Sequence, residues 1–103
     1  MPQASNLGPG SEYETVAASQ TGQVLGAIGA KGDYLHKLIC VVSTAATSQV
    51  IMLDGATSIT VLPNAVGQGI GTYTIPIELK SASGAWSVTT AAGVAVIATG
   101  SFT

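Results

Sequence analysis

Short runs of alternating apolar and polar residues occur along most of this chain, and the strongest run lies between Asp33 and Ser43. A period of two residues in this segment predicts a β-strand. One face would carry Leu35, Lys37, Ile39 and Val41, and the other Tyr34, His36, Leu38, Cys40 and Val42. The second half of the strand is apolar on both faces, which is typical of a strand in the middle of a sheet and covered on both sides.

Weaker runs predict further short strands before and after the central one. They cover residues 13–20, 23–28, 48–53, 59–61, 72–80, 86–90 and 94–99. Turn residues separate the runs, and no segment is both long enough and free enough of glycine to form a helix. The pattern predicts an all-β fold, an antiparallel β-sandwich that is jelly-roll-like, with about eight short strands.

Some positions carry more specific signals. Asp54-Gly55 predicts a hairpin whose connection, continuing to Ser58, is longer than the tight two-residue form. Pro76 has no N–H to donate, so its strand is expected to be an edge strand or to contain a bulge. That strand is predicted to place on one face Tyr73, Ile75, Ile77 and Leu79. Trp86 is the expected aromatic anchor of the core.

Residues 1–12 differ in composition from the rest of the chain. They contain two prolines and two glycines among small polar residues, without aliphatic periodicity. This composition predicts an extended N-terminal arm. Residues 13–103 then form a single β-sandwich domain, because 103 residues are enough for one core but not for two.

Charged residues are scarce. They make up 8% of the chain, against roughly 25% in ordinary soluble domains, whereas apolar residues make up 47%. Three lysines, no arginine and a net charge of -2 argue against nucleic-acid binding through a basic surface. A surface this poor in charge does little to keep copies apart, so we expect part of it to be an interface in a homo-oligomer.

The sequence also bears on the compartment. No apolar run approaches the roughly 18 residues of a membrane-spanning helix, and residues 1–12 do not resemble a signal peptide. We therefore expect no membrane association, and folding in the cytoplasm of the cell that makes the protein. Cys40 has no partner for an internal disulfide and is expected to be a small buried hydrophobe.

The titratable residues predict no catalytic, cofactor-binding or metal site. A solvated turn or strand face accounts for the carboxylates, which are Glu12, Glu14, Asp33, Asp54 and Glu78. His36 is about 13 Å from Cys40 along an extended strand, too far for direct proton transfer. We expect this histidine to form a hydrogen bond within the sheet or at a subunit contact. Residues 67–71 are glycine-rich but precede a strand, so they are interpreted as a β-connection and not as a phosphate loop.

Part of the chain, from about Gly32 to Thr103, resembles small bacteriophage virion proteins, in particular head decoration or cement proteins. The segments that carry the resemblance are GAKGDYLHKLICVVST, VIMLDG and TYTIPIELKSASGAWSVTTAAGVAVIATGSF. Their common features are a Gly-Asp-Tyr-Leu turn before an aliphatic strand, a central Asp-Gly turn, a Ser-Gly-Ala-Trp turn and a Val-rich hairpin.

The resemblance implies a virion structural protein that decorates the capsid surface. Such a protein would bind across major capsid protein subunits, self-associate and stabilise the capsid, and the family has no catalytic motif to carry over. One alternative is a phage tail or head-fibre component, which would share the composition. Another is a small non-catalytic β-sandwich binding module, although one Trp and three Tyr are too scattered for an aromatic platform. An enzyme is the least favoured hypothesis.

Deletion of residues 2–11 is expected to leave the melting temperature of the isolated protein nearly unchanged, because the arm can add little to the core. The same deletion should weaken assembly or attachment to particles, since an extended arm reaches on the order of 40 Å and Leu7 and Pro9 offer apolar contacts. Thermal melts, sedimentation and co-sedimentation with capsids measure these effects. Equal oligomer size and equal capsid binding by the truncated and full-length proteins would show that the arm is a passive tail.

Overall fold

The structure is a computed structural model and describes residues 12–43, 49–62 and 70–103. Its strands are β1 (Glu12–Val16), β2 (Gln23–Val24), β3 (Tyr34–Val42), β4 (Val50–Asp54), β5 (Thr57–Leu62), β6 (Gly71–Lys80), β7 (Trp86–Thr89) and β8 (Val94–Ser101). They form two four-stranded antiparallel sheets, which we call sheet A (β1-β8-β3-β6) and sheet B (β2-β7-β4-β5). The expected all-β fold of two antiparallel sheets is confirmed.

The strand pairs are nested around one hairpin. β4 pairs with β5 at the centre, and outside it β3 pairs with β6, β2 with β7 and β1 with β8. Two further pairings, of β3 with β8 and of β4 with β7, join these pairs into the two sheets. Every connection except that between β4 and β5 passes from one sheet to the other. Formation of the two sheets therefore depends on pairings between strands that are far apart in sequence.

The core lies between the inner faces of the sheets. Its buried apolar residues are Val16, Leu25, Leu35, Leu38, Cys40, Val42, Val50, Met52, Leu62, Trp86, Val88, Ala91, Val94, Val96 and Ala98. Trp86 is 2% exposed, as expected of the core anchor. Its indole Nε1 donates to the carbonyl oxygen of Asp33 at 2.9 Å. This bond satisfies the one polar group that burial of the indole takes from water.

A bulge in β3 changes the register of the central strand. Leu35 lies opposite Gly100 of β8, and Lys37 lies opposite Thr99. His36 is therefore an extra residue with no partner of its own in β8, which is the arrangement of a β-bulge. Two-residue periodicity cannot continue through such a point, because the extra residue shifts every following side chain to the other face.

The bulge corrects the faces predicted for β3. Leu35 faces the core together with the buried side chains beyond the bulge, which are Leu38, Cys40 and Val42. The predicted grouping of Leu35 with Ile39 and Val41 is therefore wrong. The central position of β3 is confirmed, since β8 and β6 flank it. Ile39 and Val41 on the outer face are only half-buried. Within the described residues, β3 is therefore fully covered on its inner face only, and not on both faces as predicted.

β6 has both features that Pro76 predicted. It lies at the edge of sheet A, and two of its residues, Ile77 and Glu78, lie opposite the single residue His36. Glu78 has a φ of 55°, a conformation that residues other than glycine seldom adopt. Leu79 follows this bulge and lies opposite the inward Leu35, on the face predicted for it, but at the edge of the sheet it is 54% exposed.

Two other predicted boundaries also differ. Asp54 pairs with Thr57, so the hairpin connection is the tight two-residue form and the longer prediction is wrong. β2 is two residues long, not the predicted six, because the chain turns at Gly26 with a φ of 94°. A Cβ at Gly26 would lie 2.7 Å from the carbonyl oxygen of Thr103, so only glycine fits this approach.

β1 begins at Glu12, the last residue of the expected arm. The other arm residues, 1–11, and residues 67–69 of the glycine-rich segment lie outside the described residues.

The unchanged protein is expected to lose stability at alkaline pH, and Cys40→Ala is expected to abolish this loss. Cys40 is fully buried, and burial raises the pKa of its thiol from the ordinary 9.0 to about 11. As the pH rises, the thiol therefore loses its proton in the unfolded chain before it does so in the folded protein. The folded state keeps its full stability below pH 9, and its free energy of unfolding falls by about 3 kcal/mol as the pH rises from 9 through 11. Denaturant unfolding of both proteins across this range measures the difference, and parallel pH slopes would contradict it.

A second substitution tests the burial of Cys40 at neutral pH. Cys40→Ser should lower the free energy of unfolding by about 1 to 3 kcal/mol, because it places an additional hydroxyl in the core. Rapid reaction of the native protein with a thiol reagent would count against burial.

Candidate functional site

The connections between strands emerge at two opposite ends of the sandwich. At one end lie residues 25–33, 55–56, 81–85 and 102–103. At the other end β1 leads to β2, β3 to β4, β5 to β6 and β7 to β8. We call the first the charged end and the second the neutral end, because the charged residues lie nearer the first.

All eight charged residues of the chain lie in the half of the sandwich nearer the charged end. They are Glu12, Glu14, Lys31, Asp33, Lys37, Asp54, Glu78 and Lys80. In sheet A the charged position nearest the neutral end is Glu14, opposite Ala98, and in sheet B it is Asp54, the last residue of β4. The register rows beyond these positions, and the connecting sequences at the neutral end, contain no charged residue. The protein is therefore strongly one-sided in charge.

Asp33 is buried at the charged end and is not the solvated turn residue expected from the sequence, being only 6% exposed. Its carboxylate accepts hydrogen bonds from the backbone N–H groups of Ala30 and Thr103, each at 3.1 Å, and from the Thr103 hydroxyl. Its backbone carbonyl accepts from Ser81 N–H at 2.9 Å as well as from the Trp86 indole. Asp33 thus joins the turn before β3, the connection before β7 and the residues after β8.

Asp54 holds the connection between β6 and β7. Its carboxylate accepts from the backbone N–H groups of Ala82 at 2.9 Å, Ser83 at 2.9 Å and Gly84 at 3.3 Å. These bonds, with Ser83 the strongest influence and Ala82 next, hold the pKa of the Asp54 carboxyl below its usual value. The carboxylate is thereby used as a permanent acceptor that orders residues 82–84.

The two glutamates of β1 point inward and connect it to other segments. Glu12 accepts from Phe102 N–H at 2.9 Å, and Glu14 accepts from Gly26 N–H at 2.6 Å and from Gln23 Nε2 at 3.0 Å. Inward-pointing charges also protect an edge strand from pairing with other chains. Four of the five carboxylates therefore bind backbone N–H groups. Sequence reasoning missed this role because most of the partners are between 12 and 90 residues away.

His36 and Cys40 are not brought together. The Tyr34 hydroxyl lies 3.4 Å from His36 Nδ1, with ring centroids 6.1 Å apart, which places His36 beside Tyr34 on the outer side of sheet A. Cys40 faces the core on the inner side. The histidine contact is within the sheet, as one of the two expectations stated, and at 3.4 Å it is at the weak end for a hydrogen bond.

In residues 12–43, 49–62 and 70–103, no group of three or more His, Cys, Asp or Glu side chains is placed to hold a metal ion. The same part of the chain has no helix that is long and apolar enough to cross a membrane.

The outer face of sheet A carries a set of uncharged residues in adjacent register rows. One row runs across all four strands as Thr15, Ile97, Ile39 and Thr74, and the next contains Ala95, Val41 and Thr72. The four aliphatic side chains at the centre are half-buried, and the three threonines at the rim are exposed. We call these seven residues the neutral patch. It is the clearest candidate for the interface that the charge-poor composition predicts.

None of the protein families, curated proteins and solved structures compared with this chain matches it. The resemblance to phage decoration proteins therefore stays a prediction from sequence.

Asp33→Asn is expected to lower the free energy of unfolding by about 2 kcal/mol, because the amide cannot accept all the hydrogen bonds that the buried carboxylate accepts. Glu78→Gln removes the same charge at an exposed position and serves as the control, with a change of less than about 0.5 kcal/mol. Chemical denaturation of the three proteins at neutral pH measures both effects. Equal stability of the two variants would show that the Asp33 contacts contribute nothing.

Proposed function

We propose that this protein is a non-enzymatic virion structural protein that decorates a bacteriophage capsid and stabilises it by binding across major capsid protein subunits. The observation that carries the proposal is the one-sided charge distribution: the charged residues lie in one half of the sandwich and the other half is neutral. Permanent protein contacts deplete charge at their centre, and a neutral half suits such a contact.

The use of the carboxylates supports a structural role. Asp33 and Asp54 each accept several backbone hydrogen bonds that hold loops in place, and Glu12 and Glu14 connect β1 to other segments. A carboxylate used in this way orders the fold. The resemblance of the sequence to decoration proteins points to the same role.

We further propose that the sandwich is a jelly roll. Its nested strand pairs, with all connections but one crossing between the two sheets, fit two interlocked Greek keys in eight strands. Jelly rolls occur in viral capsid proteins, but also in lectins and other proteins, so the fold favours the proposal without assigning the function.

In this proposal the neutral end faces the capsid and the charged end faces solvent. The protein lies on the outside of the virion, folds in the host cytoplasm before it attaches, and binds neither nucleic acid nor membrane. Two exposed alanines allow a matched test, because both lie in connections that flank β7. Ala92 is at the neutral end and Ala82 is at the charged end.

Ala92→Lys is expected to weaken binding to capsids by about tenfold or more, because a lysine buried in a neutral contact loses its hydration without a partner. Ala82→Lys adds the same charge at the opposite end and should bind like the unchanged protein. Co-sedimentation of each protein with capsids of the virus that encodes it, assembled without it, measures binding. Absence of binding by the unchanged protein would overturn the proposed function, and binding to tails instead would assign a tail component.

A further inference from the structure

The neutral patch is apolar where the outer face of a sheet normally meets water. An antiparallel sheet with one solvated face places polar side chains outward on its central strands. Here the two central strands of sheet A, β3 and β8, place aliphatic side chains outward, namely Ile39, Val41, Ala95 and Ile97. Ile39 lies directly opposite Ile97, and Val41 lies opposite Ala95, so the four form one continuous surface.

The charges around the patch show what kind of surface can cover it. Lys37 lies one outward position before Ile39, on the side of the charged end, and the patch itself contains no charge. A two-fold contact brings each residue near the axis close to its own copy, so a charge of one sign there would meet the same sign. A neutral patch satisfies this condition. With the axis along the strands, the neutral ends of both copies point the same way, as the proposed function requires, and Lys37 lies outside the seven residues of the contact.

The edges of both sheets favour association through a face. β1 has the inward Glu12 and Glu14, β2 is only two residues long, and β6 has Pro76 and its bulge. β5 also has a bulge, because Val50 pairs with Leu62 while Ile51 pairs with Thr60. Each of these features hinders the addition of a further strand from another chain. The patch on the face of sheet A has no comparable protection.

We propose that the neutral patch is a copy-to-copy interface, in which sheet A of one chain packs face to face on sheet A of a second copy about a two-fold axis. This names a partner for the proposed virion protein and rests on that function for its biological meaning. The test needs no capsid, so the two proposals fail separately. A chain that binds capsids but never dimerises overturns this contact alone, and one that dimerises without binding capsids overturns the proposed function alone.

The test places charge at the rim of the patch. Thr15→Lys with Thr74→Lys changes two exposed threonines on edge strands, at the two ends of the row through Ile97 and Ile39. The matched control is Thr57→Lys with Thr60→Lys, which changes two exposed threonines on β5, the edge strand of sheet B. Sedimentation equilibrium over a concentration series measures self-association. We expect a dimer for the unchanged protein and the control, and self-association weaker by about tenfold or more for the patch variant.

A charge-reversed variant distinguishes a second copy from any other occupant. Thr15→Glu with Thr74→Glu should also weaken self-association, and mixing it with the Thr15→Lys, Thr74→Lys protein should restore a dimer through pairs of opposite charge. If the patch variants melt below the control, Thr72→Lys replaces them, because this exposed threonine lies in the other row of the patch. The contact is overturned by an unchanged protein that is monomeric at every concentration, by equal weakening in patch variant and control, or by a mixture that does not associate.

Discussion

The hydrogen bonds of Asp33 hold together segments that the rest of the structure needs in one place. Its carbonyl oxygen accepts from the indole of Trp86 in sheet B, and its carboxylate accepts from Thr103, which follows the last strand of sheet A. The carbonyl of Thr103 in turn accepts from the N–H groups of Ile28 and Gly29. Because Asp33 is buried, losing its carboxylate would leave the N–H groups of Ala30 and Thr103 without this acceptor together. The burial of Trp86, and with it the packing of the sheets, depends on this cluster.

Most of the acidic residues form hydrogen bonds in this same half of the sandwich. Asp33, Asp54, Glu12 and Glu14 all bind backbone N–H groups, so they order connections more than they solvate the surface. What remains is a half of the protein without charge, including an aliphatic outer face on β3 and β8. This distribution is the basis of the proposed orientation, with the charged end toward water and the neutral half in contact with other proteins.

The edges of the sheets are protected against pairing with other chains, whereas the outer face of sheet A is not. Every edge strand has a feature that discourages pairing with another chain, such as the inward glutamates of β1 or the bulge after Pro76 in β6. Edge pairing is open-ended and leads to aggregates, whereas a two-fold contact between faces is closed. The combination of blocked edges and a neutral face therefore favours closed contacts over open-ended ones.

Side-chain alternation and turn residues are local signals, and they were enough to predict the all-β class, the approximate positions of the strands, and the burial of Cys40 and Trp86. The sequence also pointed to the irregularity at Pro76, since a missing N–H is a property of one residue. Tertiary structure alone decided the bulge at His36, the face of Leu35 and the exposure of Leu79, because strand register is set by partners in distant strands. The burial of Asp33 and the separation of charged from neutral ends likewise exist only once the nested pairs form, since the residues concerned lie up to 90 positions apart.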